Sequence, residues 1–112
     1  MKHAIVTGGA GLIGAELCTA LQMADYEVAS FDIRQAPAGI RSVLCDVSDE
    51  AVVAAGFADL GWESLDLLVN NAGIASPDFG PITELSLDQW RMVTDSHLTA
   101  AFLMTRAAVP LM

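Results

Sequence analysis

Three glycines near the start of the chain have the spacing of a phosphate-binding turn. Gly8, Gly11 and Gly14 recur at every third residue, directly after a short apolar run at residues 4–6. Glycine lacks the Cβ that would hold a pyrophosphate away from the backbone, and a helix start offers free N–H groups to it. Tight turns of any kind use glycine, so the context decides. A helical pattern follows, with one face formed by Ile13, Leu17, Leu21 and Ala24. We therefore predict a strand–turn–helix unit that binds a dinucleotide.

A carboxylate, Asp32, is the second candidate group. It ends a predicted second strand and follows Gly14 by 18 residues. An acid at about this spacing accepts hydrogen bonds from the ribose hydroxyls of NAD, and its charge repels the 2′-phosphate of NADP. The neighbouring Arg34 could accommodate that phosphate, and Asp32 could also be a solvated carboxylate at a strand end. We expect NAD, with NADP as the weaker alternative.

The composition restricts the classes of partner. With 112 residues, 54% of them hydrophobic and 17% charged, the chain is at most one domain with a well-buried core. A net charge of −9 with five Lys and Arg residues argues against nucleic acid or an anionic membrane as a partner. No apolar run approaches the roughly 18 residues of a membrane span, and the N-terminus lacks a signal-peptide pattern. Cys18 and Cys45 fit a reducing cytoplasm as free thiols, with a disulfide between them as the alternative.

Strand and helix patterns alternate along the chain. The predicted strands are residues 4–6, 27–32, 41–45 and 65–70. The second helix is predicted to begin at Ser48 as N-cap and to run to about Leu60. Turn-forming residues fill 73–81. This alternation predicts an α/β fold with a doubly wound, Rossmann-like parallel sheet in the order 3-2-1-4 and helices on both faces.

The last predicted helix begins at Ser86, which forms a capping box with Gln89. It continues until Pro110. One face of this helix carries Trp90, Val93, His97, Ala101 and Met104. Because the predicted sheet order makes the fourth strand an edge, we expect this strand, the last helix or both to form the contacts of a homo-oligomer. The alternative is that they stay bound to the missing half of the protein.

Three short segments point to one family. Thr7 precedes the first glycine, Asp46 and Val47 follow the third strand, and the segment Asn-Asn-Ala-Gly follows the fourth strand. Together with the segment 102–107 they resemble the short-chain dehydrogenase/reductase family, and the resemblance covers essentially the whole chain. It implies that the Asp46 side chain and the Val47 backbone bind adenine. It further implies that Asn71, Ala72 and Gly73 line the ribose on the nicotinamide side. The full set of expected cofactor-binding residues is Gly8, Gly11, Leu12, Ile13, Gly14, Asp32, Ile33, Asp46, Val47, Asn71, Ala72 and Gly73. No metal site is expected.

The glycine spacing departs from the usual pattern of this family. The common form is Thr-Gly-x-x-x-Gly-x-Gly, whose second glycine would fall at Leu12. The spacing found here resembles the extended branch that acts on nucleotide sugars. An epimerase or dehydratase of that branch is therefore an alternative.

Catalysis in the family uses a Tyr-x-x-x-Lys pair, an upstream Ser, and an Asn in the helix after the fourth strand. The Tyr exchanges a proton and the Lys lowers the pKa of that Tyr. The single tyrosine and lysine of this chain, Tyr26 and Lys2, form no such pair. His97 takes the position of the Asn, where it could relay protons or simply pack with one nitrogen satisfied.

The resemblance implies a hydride transfer between nicotinamide and a small-molecule carbonyl or alcohol. We expect residues 1–112 to be an NAD(P)-binding Rossmann domain, the N-terminal cofactor-binding half of a truncated oxidoreductase. The alternative is a module that binds NAD, or assembles with other chains, without catalysis.

Overall fold

The structure, a computed structural model, describes residues 1–74 and 80–112. A parallel sheet forms its centre, with the strand order β3-β2-β1-β4. The strands are β1 (Lys2–Thr7), β2 (Tyr26–Asp32), β3 (Arg41–Leu44) and β4 (Leu67–Val69). The predicted α/β class and strand order are confirmed. The predicted loop 73–81 lies partly outside the described residues.

Helices connect and cover these strands, as parallel crossovers require. They are α1 (Leu12–Met23), α2 (Glu50–Leu60), α3 (Leu87–Thr94) and α4 (Ala100–Ala108). A π-helical turn, Asp95–Thr99, joins α3 to α4, and short 3-10 turns occupy Ile82–Glu84 and Val109–Leu111. None of the described helices is long and apolar enough to cross a membrane.

The central strand β1 is buried on both faces, so its apolar residues are continuous rather than alternating. Ala4, Ile5 and Val6 are fully buried. Side chains alternate between faces, and Ala4 and Val6 pack with Cys18 of α1. Ile5 belongs to the opposite core, under α2 and α4, which also contains Cys45. Both cysteines are therefore free and lie in separate cores, which removes the disulfide alternative.

The fourth strand is shorter than the predicted 65–70. Leu65 is buried, but its N–H donates to the carbonyl of Leu111 at 2.9 Å, outside the sheet. The ladder with β1 pairs Leu67 to Val69 alone. Among the described strands β4 pairs only with β1, so it is an edge, as the strand order predicted.

The buried face of α1 differs from the prediction at its two ends. Ile13 is 67% exposed and Ala24 is exposed, whereas Gly14 and Cys18 are buried. The helix approaches the sheet most closely over Gly14, since a Cβ there would meet the carbonyl of Gly8. This close approach turns Ile13 toward the carboxyl edge of the sheet rather than into the core.

The N-cap of α2 is Asp49 and not Ser48. The Asp49 side chain accepts from the N–H of Val52 at 3.1 Å. Ser48 instead donates its backbone N–H and its hydroxyl to Asp46 Oδ1, at 3.0 and 2.6 Å. Because the Ser48 hydroxyl is bonded to Asp46, it is not the cap of α2, and the helix begins one residue later than predicted.

The predicted apolar face of the last helix is wrong at its N-terminal half. Trp90 is 55% exposed, and the buried residues of α4 are Ala100, Leu103, Met104 and Ala108. The predicted face assumed 3.6 residues per turn throughout. The wider π-helical turn at Asp95–Thr99 shifts the register between α3 and α4.

Candidate functional site

A cleft of about 640 Å³ opens at the carboxyl edge of the sheet. Its walls come from the segments that follow β1, β2, β3 and β4, and from the start of α1. All twelve residues of the expected cofactor-binding set line this cleft. The cleft is also lined by residues outside that set: Phe31, Arg34, Cys45, Ile74 and Ser96. Open α/β sheets bind ligands at this edge, where the strand order reverses.

The glycine turn forms the floor of the cleft. Gly8 has a φ of 66°, a left-handed conformation that favours glycine. Its N–H donates to the carbonyl of Phe31 at 2.9 Å, and its own carbonyl accepts from Gly11 N at 3.0 Å. The carbonyl of Gly8 also lies where a Cβ on Gly14 would be. Glycine at positions 8 and 14 therefore allows the turn to pack directly on the first turn of α1.

Asp32 is held between this turn and the end of β2. Its Oδ2 accepts from Ala10 N at 3.0 Å, and its Oδ1 accepts from Arg34 N at 2.9 Å. Each carboxylate oxygen can accept more than one hydrogen bond. The carboxylate is thus fixed at the cleft with acceptor capacity remaining. The Arg34 guanidinium lies over the glycine turn, 4.0 Å from where a Cβ on Gly11 would be.

The segment after β3 forms one end of the cleft. Asp46 accepts two hydrogen bonds from Ser48, which fix its carboxylate. Burial raises the pKa of the Cys45 thiol to about 11, with the charges of Asp46 and Asp49 adding to the effect. Cys45 is therefore a neutral thiol near pH 7, and it packs as a small apolar side chain.

Thr7 fixes the segment 71–74, which forms the wall of the cleft after β4. No such role was predicted for Thr7 from the sequence. Its buried hydroxyl oxygen accepts from Asn71 N and from Ala72 N, both at 2.9 Å. The Asn71 side chain donates to the carbonyl of Thr7 at 3.1 Å. The available signal was the threonine that precedes the glycine turn. These contacts fasten the segment after β4 to the glycine turn.

His97 lies behind this wall and does not line the cleft. Its Nε2 is 3.0 Å from the carbonyl oxygen of Ile74, to which it donates. Its ring occupies the space where a Cβ on Gly73 would be. Ser96 does line the cleft, and it was missed because its position depends on the π-helical turn.

Tyr26 and Lys2 are far from the cleft. They are register partners at the starts of β2 and β1, at the opposite edge of the parallel sheet. The Lys2 ammonium lies 5.7 Å from the centre of the Tyr26 ring. In the described part of the chain no group of three His, Cys, Asp or Glu side chains could hold a metal ion.

The glycine turn, helix start and carboxylate define a dinucleotide-binding α/β domain. Comparison with known proteins identifies the particular family. A family model described as short chain dehydrogenase matches residues 2–112. The chain therefore belongs to the short-chain dehydrogenase family, whose members bind nicotinamide dinucleotides.

Individual relatives agree with this assignment. D-threitol dehydrogenase from Mycolicibacterium smegmatis is 33% identical over 120 residues, covering 95% of this chain and 45% of that protein. Acetoacetyl-CoA reductase from Shinella zoogloeoides is 37% identical over 116 residues, covering 93% and 46%. Ligand-free aldohexose dehydrogenase from Thermoplasma acidophilum superposes with a TM-score of 0.88 at 31% identity, covering 99% of this chain and 44% of that one. The chain thus spans just under half the length of these relatives.

Proposed function

We propose that residues 1–112 bind NAD as the cofactor-binding portion of an oxidoreductase. The reaction is a hydride transfer between nicotinamide and a small-molecule carbonyl or alcohol. One observation carries the proposal: the close-packed glycine turn and the fixed Asp32 carboxylate share one cleft with the segment 71–74. The turn leaves room for a pyrophosphate, and the carboxylate is an acceptor for ribose hydroxyls.

Different residues of the cleft would bind different parts of the dinucleotide. The glycine turn and the exposed N-terminus of α1 would face the pyrophosphate, because the helix dipole and free N–H groups favour an anion there. Asp46 and Val47 would hold the adenine. Asn71, Ala72 and Gly73 would line the ribose next to nicotinamide. Bound there, nicotinamide supplies or accepts the hydride.

Asp32 favours NAD over NADP. A 2′-phosphate on the adenosine ribose would bring its negative charge against a carboxylate that two backbone N–H groups hold in place. Arg34 lies beside it and would offset part of that repulsion. The fixed Asp32 carboxylate therefore supports a preference for NAD.

The Tyr and Lys residues of this chain are not placed to transfer a proton at the cleft. Tyr26 and Lys2 lie at the wrong edge of the sheet to serve as the family's acid and its partner. Within residues 1–74 and 80–112, His97 is the remaining candidate for a proton relay, and its Nε2 donates to the carbonyl of Ile74. A module that binds NAD without catalysis is therefore a second candidate function, favoured by the position of this Tyr–Lys pair.

The glycine spacing alone suggests the extended, nucleotide-sugar branch of the family. The segment Asn-Asn-Ala-Gly resembles the ordinary branch, and its residues Asn71, Ala72 and Gly73 line the cleft. The named relatives, a threitol dehydrogenase and an acetoacetyl-CoA reductase, also favour it. We accordingly propose an alcohol or carbonyl compound as substrate, and not a nucleotide sugar.

We further propose a compartment and an oligomeric state for the protein. Two free, buried thiols, Cys18 and Cys45, support a reducing compartment such as the cytoplasm. The exposed Phe102 of α4, the exposed Leu98 and Val109 of the adjoining turns, and the open edge of β4 support a homo-oligomer.

Calorimetric titration of the folded chain with NAD tests the proposal. Gly14→Ala should abolish measurable binding, because its methyl group would displace the Gly8 carbonyl from the turn. Thr19→Ala is the matched control, since the side chain of this exposed residue of α1 donates to the carbonyl of Ala15 and does not line the cleft. The control should bind NAD as the unmodified chain does. A folded chain that binds neither NAD nor NADP would refute the proposal.

A further inference from the structure

Ile74 lines the cleft, and its backbone N–H and carbonyl are hydrogen-bonded by two side chains of the π-helical turn. The N–H of Ile74 donates to Ser96 Oγ at 3.2 Å. The carbonyl of Ile74 accepts from His97 Nε2 at 3.0 Å. The Ser96 hydroxyl in turn donates to the carbonyl of Val93 at 2.9 Å, which fixes its orientation. Two consecutive side chains thus satisfy both backbone groups of one residue.

The π-helical turn makes this arrangement available. In a regular α-helix consecutive side chains point about 100° apart, so two neighbours rarely reach one peptide unit. Ser96 and His97 both lie in the π-helical turn Asp95–Thr99. Such turns are rare and are found frequently at functional sites. Here the two hydrogen bonds to Ile74 stabilise the π-helical turn.

Gly73 completes the contact. The His97 ring lies where a Cβ on Gly73 would be, so the ring packs directly on the backbone of the wall. The position of Ile74 therefore depends on the His97 ring through both a hydrogen bond and a close packing contact.

We propose that Ser96 and His97 are positioning residues for the nicotinamide half of the dinucleotide. We call them the Ser96–His97 clamp. The clamp holds the segment 71–74 at the distance from the glycine turn that the nicotinamide-side ribose requires. Assigning this half of the cofactor to segment 71–74 rests on the proposed function. The clamp acts through the backbone of Ile74, so position 97 needs only a hydrogen-bond donor where Nε2 lies.

Hydrogen exchange of the Ile74 amide, without any nucleotide, tests the clamp itself. Ser96→Ala removes the acceptor, and exchange at Ile74 should become about tenfold faster or more. Thr99→Ala is the matched control, because it removes a hydroxyl of the same π-helical turn that bonds to Asp95 and not to Ile74. Equal exchange rates at Ile74 in the unmodified chain and in Ser96→Ala would overturn the clamp.

Binding of NADH and of ADP tests the role of the clamp. ADP lacks the nicotinamide half, so its affinity should be unchanged in His97→Ala, while NADH should bind about fivefold to tenfold more weakly. His97→Gln keeps a donor near the position of Nε2 and should restore NADH affinity. An equal loss of ADP and NADH affinity in His97→Ala, or no rescue by His97→Gln, would overturn the positioning role.

The two proposals fail in distinguishable ways. If the unmodified chain binds neither nucleotide, the proposed function fails and the positioning role falls with it, whereas Ile74 exchange still decides whether the clamp exists. If NADH binds with full affinity to a folded His97→Ala chain, the proposed function stands and the positioning role is wrong.

Discussion

Ser30 and Ser42 are register partners in β2 and β3, but within the described part of the chain only the Ser42 hydroxyl has a hydrogen-bond partner. Ser42 Oγ accepts from the N–H of Ala36 at 2.7 Å, which fastens the loop after β2 to β3. Ser30 is 1% exposed, and its Oγ has no partner among the described residues. A buried polar atom without a partner costs about 1–3 kcal/mol. The paired serines therefore make opposite contributions to stability.

Alanine substitution at these two positions should change stability in opposite directions. We expect Ser30→Ala to raise the free energy of unfolding by about 1 kcal/mol, because it removes an unsatisfied hydroxyl. Ser42→Ala should lower it by about 1–2 kcal/mol, because the N–H of Ala36 loses its acceptor. Urea unfolding measures both. A loss of stability in Ser30→Ala would mean that its hydroxyl is satisfied in solution.

Sequence patterns predicted the strand order, the glycine turn and Asp32 from local rules, whereas the roles of Asp46, Val47 and residues 71–73 were implied by the family resemblance. Apolar runs fix the strands, and the right-handed crossover fixes their order. The carboxyl ends of the strands then meet at one edge, which places Gly8, Asp32, Asp46 and Asn71 together. Such reasoning requires no knowledge of side-chain contacts.

The details that sequence missed depend on competition between contacts. Serine is a favourable N-cap residue, but the Ser48 hydroxyl donates to Asp46, and Asp49 caps α2 instead. The face of the last helix was mispredicted because a π-helical turn interrupts the 3.6-residue period. That turn is stabilised by Ile74, more than 20 residues earlier in the chain, so no local pattern around Ser96 reveals it.

The cofactor preference should depend on Asp32. We expect Asp32→Ala to weaken NAD binding about tenfold or more, because charge-assisted hydrogen bonds are worth about 1.5–3 kcal/mol. It should also narrow the gap between NAD and NADP, since the repulsion of a 2′-phosphate is relieved. Asp46→Ala is the control: it should weaken both cofactors equally, as adenine is common to them. Calorimetry that shows equal or tighter NADP binding to the unmodified chain would contradict the assignment.

Cys45 should make stability fall in alkaline solution. The unfolded thiol loses its proton near pH 9, whereas burial raises the folded pKa to about 11. Between these values the folded state binds more protons, so the free energy of unfolding decreases as pH rises, by about 2–3 kcal/mol in total. The contribution is fully present below pH 9.

Urea unfolding at several pH values measures this slope. Cys45→Ala should reduce the loss between pH 9 and 11, although its stability is lower at neutral pH because of the cavity. Val43→Ala makes a cavity in the same core and keeps the thiol, so its slope should match the unmodified chain. Identical slopes in all three chains would show that Cys45 is not the source.

The 112-residue chain alone should not turn over ketones with NADH. A bound nicotinamide without a positioned proton donor leaves the developing alkoxide uncompensated. Tyr26 and Lys2 are at the opposite edge of the sheet, and His97 lies behind the cleft wall. Long incubations with a panel of ketones should show no oxidation of NADH above background. Turnover that disappears in His97→Ala would instead make His97 a catalytic residue.

The outer face of α4 should mediate self-association. Phe102 of α4 is 57% exposed, and Leu98 and Val109 of the turns on either side of this helix are 74% and 56% exposed. All three line one shallow apolar groove. The charged residue of the groove, Arg106, is paired with Glu50 at 2.9 Å and lies over the Phe102 ring. The groove therefore presents little net charge to a second copy, despite the chain's −9.

Light scattering at micromolar concentration should show a dimer or larger oligomer. Phe102→Glu should shift the chain toward monomer, because it places an unpaired carboxylate in the apolar contact. Met23→Glu makes the same change in charge at a more exposed apolar residue, 82% against 57% for Phe102, at the end of α1 and away from the groove, and should leave the oligomer intact. If the unmodified chain is a monomer with a cooperative melt, neither α4 nor the open edge of β4 drives association.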